Sequence, residues 1–148
     1  MSQLWKGYNN IGICATAINC TLSHSRSLSL PKTLLIMPLA MHAATIRFLA
    51  NANVRERQVA ALVTARPDLF LNYANRFEES LVVSLNAIQF LLTFGHARFD
   101  SELKIERKME IDSRYGKRAL LIEKASKNIA GLLSGADDDL YLNLRIKL

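Results

Sequence analysis

Acid is almost missing from the start of this sequence: residues 1–66 hold a single acidic side chain, Glu56, against the basic Lys6, Arg26, Lys32, Arg47, Arg55, Arg57 and Arg66. Cysteine (2), proline (3) and glycine (6) are also scarce in the 148 residues. So little of them excludes disulfide scaffolds, collagen-like chains and low-complexity tracts. Long hydrophobic runs are lacking too. Residues 34–50 are interrupted by Pro38, His42 and Arg47, and residues 81–95 by Ser84, Asn86 and Gln89, so neither offers the roughly 18 to 20 apolar residues of a membrane span. Residues 1–10 are polar and aromatic, without the basic and apolar regions of a signal peptide, which points to the cytoplasm and away from a membrane. Cys14 and Cys20 match neither a zinc-ligand nor a redox spacing and read as two buried thiols in a reducing compartment.

Half of the residues are apolar, and a chain of this length suits one domain, 1–148, burying roughly 70% of its unfolded surface. The formal charge of +6 comes entirely from residues 1–66, because the remainder carries 12 basic and 12 acidic groups. A basic face attracts nucleic acid, an acidic partner or an anionic surface, or simply keeps an apolar chain in solution.

Ile11, Cys14, Ile18 and Leu22 recur at helical spacing, with Thr16, Asn19 and Ser23 on the other side, and predict a first amphipathic helix. Residues 25–29 read as a loop. Pro31 suits the first turn of a second helix, which Pro38 kinks or ends. Asn53 with Glu56 forms a capping-box pattern for a third helix, stopped at Arg66-Pro67. From Pro67 the series Phe70, Tyr73, Phe77, Leu81, Leu85, Ile88 and Leu92 predicts a long central helix of about 26 residues, about 40 Å, down to Gly95. Beyond it the period becomes two: Leu103, Ile105, Met109 and Ile111 alternate with charged residues as in a half-buried strand, with residues 98–100 as its partner. A fifth helix carries Ile122, Ala125, Ile129 and Leu132 inward. The alternating tail Leu140, Leu142, Leu144, Ile146 and Leu148 predicts a final strand. The expected class is α+β, mainly helical, closing in a winged-helix-like strand–helix–strand unit.

Catalytic signals are sparse. Pro67-Asp68 with Glu102-Leu103-Lys104 has the residue types of a metal-dependent nuclease, but a proline and an acid are also what open a helix. His24, His42 and His96 are too far apart for ligand spacing, and His42 reads as structural or as an interface residue. Asp137, Asp138 and Asp139 read as a solvated loop. With no phosphate-binding loop and no dinucleotide fingerprint, the expectation is no enzyme, no metal and no cofactor. The second and third helices are compatible with a helix-turn-helix in which Arg55 and Arg57 meet DNA, the terminal strands supplying a wing.

Asn9-Asn10-Ile11, the stretch Leu30 to His42 with Pro31 and Pro38, and Thr45-Ile46-Arg47 together resemble the middle components of bacterial three-component ABC systems, the group that includes the accessory subunit of Lamassu-type defence. Later matches are Arg66-Pro67, an internal Arg76, Gly95, Lys124-Ala125, Ile129-Ala130 and Leu140-Tyr141, so the resemblance spans most of the chain. It implies a non-catalytic adaptor that joins an SMC- or ABC-type ATPase to a nuclease effector in an anti-phage or anti-plasmid complex, with DNA held in that complex. Pro31, Pro38, Thr45, Pro67 and Gly95 would be the structural signature, and Arg47, Arg55, Arg57 and His42 the interface or DNA contacts.

Overall fold

A computed structural model describes residues 3–51, 54 and 58–147, with side chains from residue 10 onward except that of Ser113. It is mainly helical. In chain order come α1 (Gln3–Ser25), β1 (Ser27–Leu28), α2 (Leu30–Thr33), α3 (Ile36–Ala40), α4 (Ala43–Leu49), α5 (Val59–Ala65), α6 (Tyr73–Thr93), β2 (Ala97–Asp100), β3 (Glu102–Ile105), α7 (Lys117–Leu132) and α8 (Asp137–Asn143). Short 3-10 turns precede α6 (Pro67–Phe70) and α7 (Ser113–Tyr115). No single described helix is long and apolar enough to cross a membrane.

The centre is α1, not the helix that follows Pro67. Every residue from 14 to 22 is buried, and α1 packs mainly against α6 and α7. The polar residues that read as a solvent face are enclosed with the rest and satisfied by backbone: the hydroxyls of Thr16, Thr21 and Ser23 donate to the carbonyls of Gly12 (2.9 Å), Ala17 (2.8 Å) and Cys20 (2.6 Å). Hydroxyls that bond back to their own helix place no demand on water, so a helix carrying them can be surrounded on all sides. Both thiols lie in this helix, pushed up by burial to about 12 at Cys14 and about 11 at Cys20, so both stay protonated and unreactive.

The helix after Pro67 is shorter than the periodicity implies. Asn72, at a φ of 57°, separates the 3-10 turn from α6, because asparagine adopts the left-handed conformation that halts a helix. Gly95 then closes α6 in a Schellman motif: its φ is +75°, its N–H donates to Leu92 O (3.4 Å), and the N–H of His96 donates to Leu91 O (2.9 Å).

The hairpin β2–β3 forms where the alternation and the partner segment placed it, joined by an antiparallel β1 that the sequence reading took for loop; the strand order is β1-β3-β2. The strand ends at Ile105, well short of Ile111. Residues 106–109 stay alongside the core because side chain and loop replace a partner strand. Asn19 donates to Arg107 O (3.0 Å) and accepts from Met109 N–H (2.7 Å), while the N–H groups of Glu106 and Arg107 both donate to His96 O. A buried carboxamide offers the same donor and acceptor pair as a peptide group.

The expected final strand is helix α8. Period two coincides with helical spacing at i and i+4, and Leu140 and Leu144 are buried together with Tyr141 while Leu142 is 77% exposed. Asp137, Asp138 and Asp139 occupy its first turn, where negative charge offsets the helix dipole. The chain therefore closes hairpin–helix–helix, and the strand–helix–strand unit that would supply a wing is not formed. Arg55, Arg57 and the Asn53–Glu56 capping box fall outside the described residues.

Candidate interaction site

Pro38 breaks the second helix as its chemistry requires. The ring has no N–H for the carbonyl four residues earlier, and the chain divides into α2, a turn at residues 34–35, and α3. At His42 the path bends by 106° into α4. A helix interrupted this often leaves carbonyls unpaired, and each must find a donor from outside.

The donors come from distant parts of the chain. Tyr141 Oη donates to Pro31 O (2.7 Å), Tyr73 Oη to Leu35 O (2.7 Å), and Arg76 Nη1 to Pro38 O (2.6 Å). Arg76 Nη2 also reaches Leu69 O (3.1 Å) and Leu71 O (3.2 Å), so one guanidinium ties α3 to the 3-10 turn. Its charge sits over the Tyr73 ring at 5.4 Å. Burial raises the Tyr73 phenol well above its ordinary value and lowers the Arg76 guanidinium.

Leu69 O also takes the single hydroxyl proton of Thr45 (2.9 Å), which leaves Thr45 Oγ1 to accept from His42 Nδ1 at 2.7 Å. The hydrogen bond therefore sets the tautomer: the Nδ1 proton faces Thr45, and Nε2 of the neutral ring carries the free lone pair. Partial burial, then the Arg76 charge, lower the His42 pKa against the opposing pull of Asp68. Because the folded state binds fewer protons here than the unfolded chain, stability rises with pH across this titration. Thermal melts should show stability falling as the pH drops from 7 towards 5, and His42→Gln should flatten that fall; an unchanged slope in the variant would assign it to other groups.

The signature residues thus converge: Pro31 and Pro38 supply carbonyls, Thr45 and His42 cap the corner, and Pro67 opens the 3-10 turn that presents Leu69 O. Gly95 lies elsewhere, at the end of α6. Arg66 grips Asp68 in two parallel hydrogen bonds (3.0 and 2.9 Å) and lies over Phe48 at 5.0 Å, so Asp68 is committed to an ion pair. Lys104 pairs with Asp100 (3.3 Å). Among the described residues no group of three or more His, Cys, Asp or Glu side chains is placed to hold a metal ion. Arg47 is exposed on α4 and lines a groove of about 280 Å³ with Met41, Lys117 and Arg118. The sequence places Tyr73 in the apolar series of the long helix and Arg76 and Tyr141 within the family resemblance, none of them as a donor, although Pro31 and Pro38 in one short stretch signal carbonyls in need of donors.

A second exposed feature lies along α6. Glu78, Val82, Leu85 and Gln89 face outward at spacings of four and three residues, with Val82 69% and Leu85 51% exposed, and Phe94 at the helix end is 58% exposed. Val82 and Leu85 are thus two adjacent exposed apolar side chains on a face otherwise made of Glu78, Glu79, Asn86 and Gln89.

The sequence profile of the ABC-three component (ABC-3C) system Middle Component 3 family matches residues 3–148. The chain belongs to that family. No curated protein and no solved structure matches it. As an ABC-3C middle component it is one part of a multi-subunit system. In this Middle Component 3 chain the interrupted α2–α3–α4 segment is held at the corner by three long side chains, and α6 exposes Val82 and Leu85 on its outer face.

Proposed function

We propose that this middle component is a non-catalytic adaptor that joins an SMC- or ABC-type ATPase to an effector, a nuclease, in an anti-phage or anti-plasmid defence complex of the Lamassu kind, acting in the cytoplasm. Family membership over residues 3–148 carries the reading. The outer face of α6 supports it, since Val82 and Leu85 stand exposed where a partner helix would pack. His42 at the corner is the accompanying polar contact, and Arg55 and Arg57 are assigned to the same interface, while Arg47 lies beside α7. A free-standing winged-helix DNA reader is not proposed, because the final strand needed for its wing is α8.

Co-expression with the products of the adjacent genes should yield one assembly containing all three subunits. Val82→Glu with Leu85→Glu should keep the melting temperature within about 2 °C, as surface changes generally do, while abolishing co-purification. If ATPase and effector assemble and protect cells without this subunit, the adaptor reading fails.

A further inference from the structure

The +6 charge arises in residues 1–66, but the structure does not leave it there. Away from α7, several basic residues are neutralised by their own neighbours: Arg66 by Asp68, Arg98 by Glu106 (2.7 Å), Lys104 by Asp100 and Arg114 by Asp112 (2.6 Å). Helix α7, KRALLIEKASKNIAGL, holds four basic residues and one acid. That acid, Glu123, pairs with Lys108 (3.4 Å). Among the described residues Lys117, Arg118, Lys124 and Lys127 have no acidic partner, and neither does the neighbouring Arg47.

These charges form a continuous surface. Lys117, Lys124 and Lys127 run along the exposed side of α7, opposite the buried Ile122, Ala125 and Ile129. On one flank Arg47 shares a groove with Lys117 and Arg118. On the other, His24 and the ion pair of Lys108 with Glu123 line a groove of about 430 Å³ with Lys124 and Lys127, and a neighbouring groove past Lys127 is lined by Ser25, Ser134 and Lys32, the last paired with Asp137 at 4.0 Å. Partial burial, then the charges of Lys108 and Lys127, hold His24 below the ordinary imidazole range against the opposing pull of Glu123. From Lys117 to Lys127 the face extends about 15 Å, the length of four to five base pairs at about 3.4 Å each.

We propose that the exposed face of α7, with Arg47 on its flank, binds the sugar-phosphate backbone of duplex DNA without regard to sequence. Lysines spread along an open ridge suit a periodic row of phosphates, and they position a duplex without reading it. The site differs from the α6 face assigned to protein partners and does not rest on the adaptor reading.

The test is fluorescence anisotropy of the purified full-length chain with a 30-base-pair duplex of arbitrary sequence. Binding is expected at about 50 mM salt and should weaken steeply as salt rises, with a log–log slope of about −0.9 for each phosphate neutralised. Lys124→Glu with Lys127→Glu should weaken binding at least 10-fold and reduce the slope by about 2. Arg98→Glu with Lys104→Glu, an equal change of net charge on the hairpin, should change it less than 3-fold; circular dichroism melts check that both variants fold. Equal losses from the two double variants would reduce the effect to net charge and overturn the proposal. Absence of duplex binding at 50 mM salt would also overturn it. So would a polyglutamate peptide that binds more tightly than the duplex and is lost with the same two lysines, an outcome that assigns the face to an acidic protein.

Discussion

Arg76→Ala is expected to lower the melting temperature by roughly 4–16 °C, because it removes three bonds from a charged donor at a net cost of about 2–4 kcal/mol, and each kcal/mol is worth about 2–4 °C at this chain length. The estimate lies well below three full charged hydrogen bonds, since Arg76 is only partly buried and water can reach some of the vacated carbonyls. Arg76→Lys separates charge from geometry. Lysine keeps the positive charge but lacks the fork that reaches Pro38 O with one nitrogen and Leu69 O and Leu71 O with the other. It should recover less than half of the loss. Full recovery by lysine would show that charge alone holds the α3–α4 corner, and a shift under about 1 °C in the alanine variant would show that the corner holds without this side chain.

The second large effect is expected at Asn19, which is fully buried and bonds both Arg107 O and Met109 N–H. Asn19→Ala removes a donor and an acceptor from buried surroundings and should cost about 2–4 kcal/mol. Asn19→Leu restores volume but leaves the same two backbone groups unpaired, so it should be no better. Hydrogen exchange distinguishes this from a general loss of packing. The Met109 amide should lose its protection in either variant at a point where the β3 amides keep theirs. Equal loss of protection throughout the hairpin and residues 106–109 would argue that Asn19 serves only to fill space.

Local chemistry carried the sequence reading furthest. The end of α6 at Gly95, the hairpin near residue 100, and the interruption of the second helix ahead of Pro38, at residues 34–35, follow from single residues or short periods. The errors arose where one pattern fits two structures. Leucines at every second position from 140 satisfy a strand and also place Leu140 and Leu144 one helical turn apart; three aspartates at the start favour the helix, by the same dipole argument that explains Asp68 beside Pro67. In α1 the polar residues suggested a solvent face, yet threonine and serine can satisfy themselves on their own helix and so tolerate complete burial. The links from Tyr73, Arg76 and Tyr141 to the α2–α3 carbonyls join residues 38 to 110 positions apart. No local periodicity reports such pairings; only the need of the carbonyls is visible. The grouping of charge around α7 was hidden for a similar reason, since Arg47 and Lys32 meet Lys117 and Lys127 only after folding.

The position of α1 also imposes an order of events during synthesis. A helix enclosed on every side is made before either of the helices that enclose it, and α7 ends 107 residues after α1 does. At about 5–20 residues per second the ribosome needs roughly 5–20 s to supply that length. Residues 14–22 lack α6 for the first 68 residues of this interval and a complete α7 until its end, although hydrophobic collapse of a short chain takes only about 1 μs or less. The nascent chain therefore carries the helix at the centre of its core incompletely covered for most of its own translation, a natural point of engagement for a chaperone.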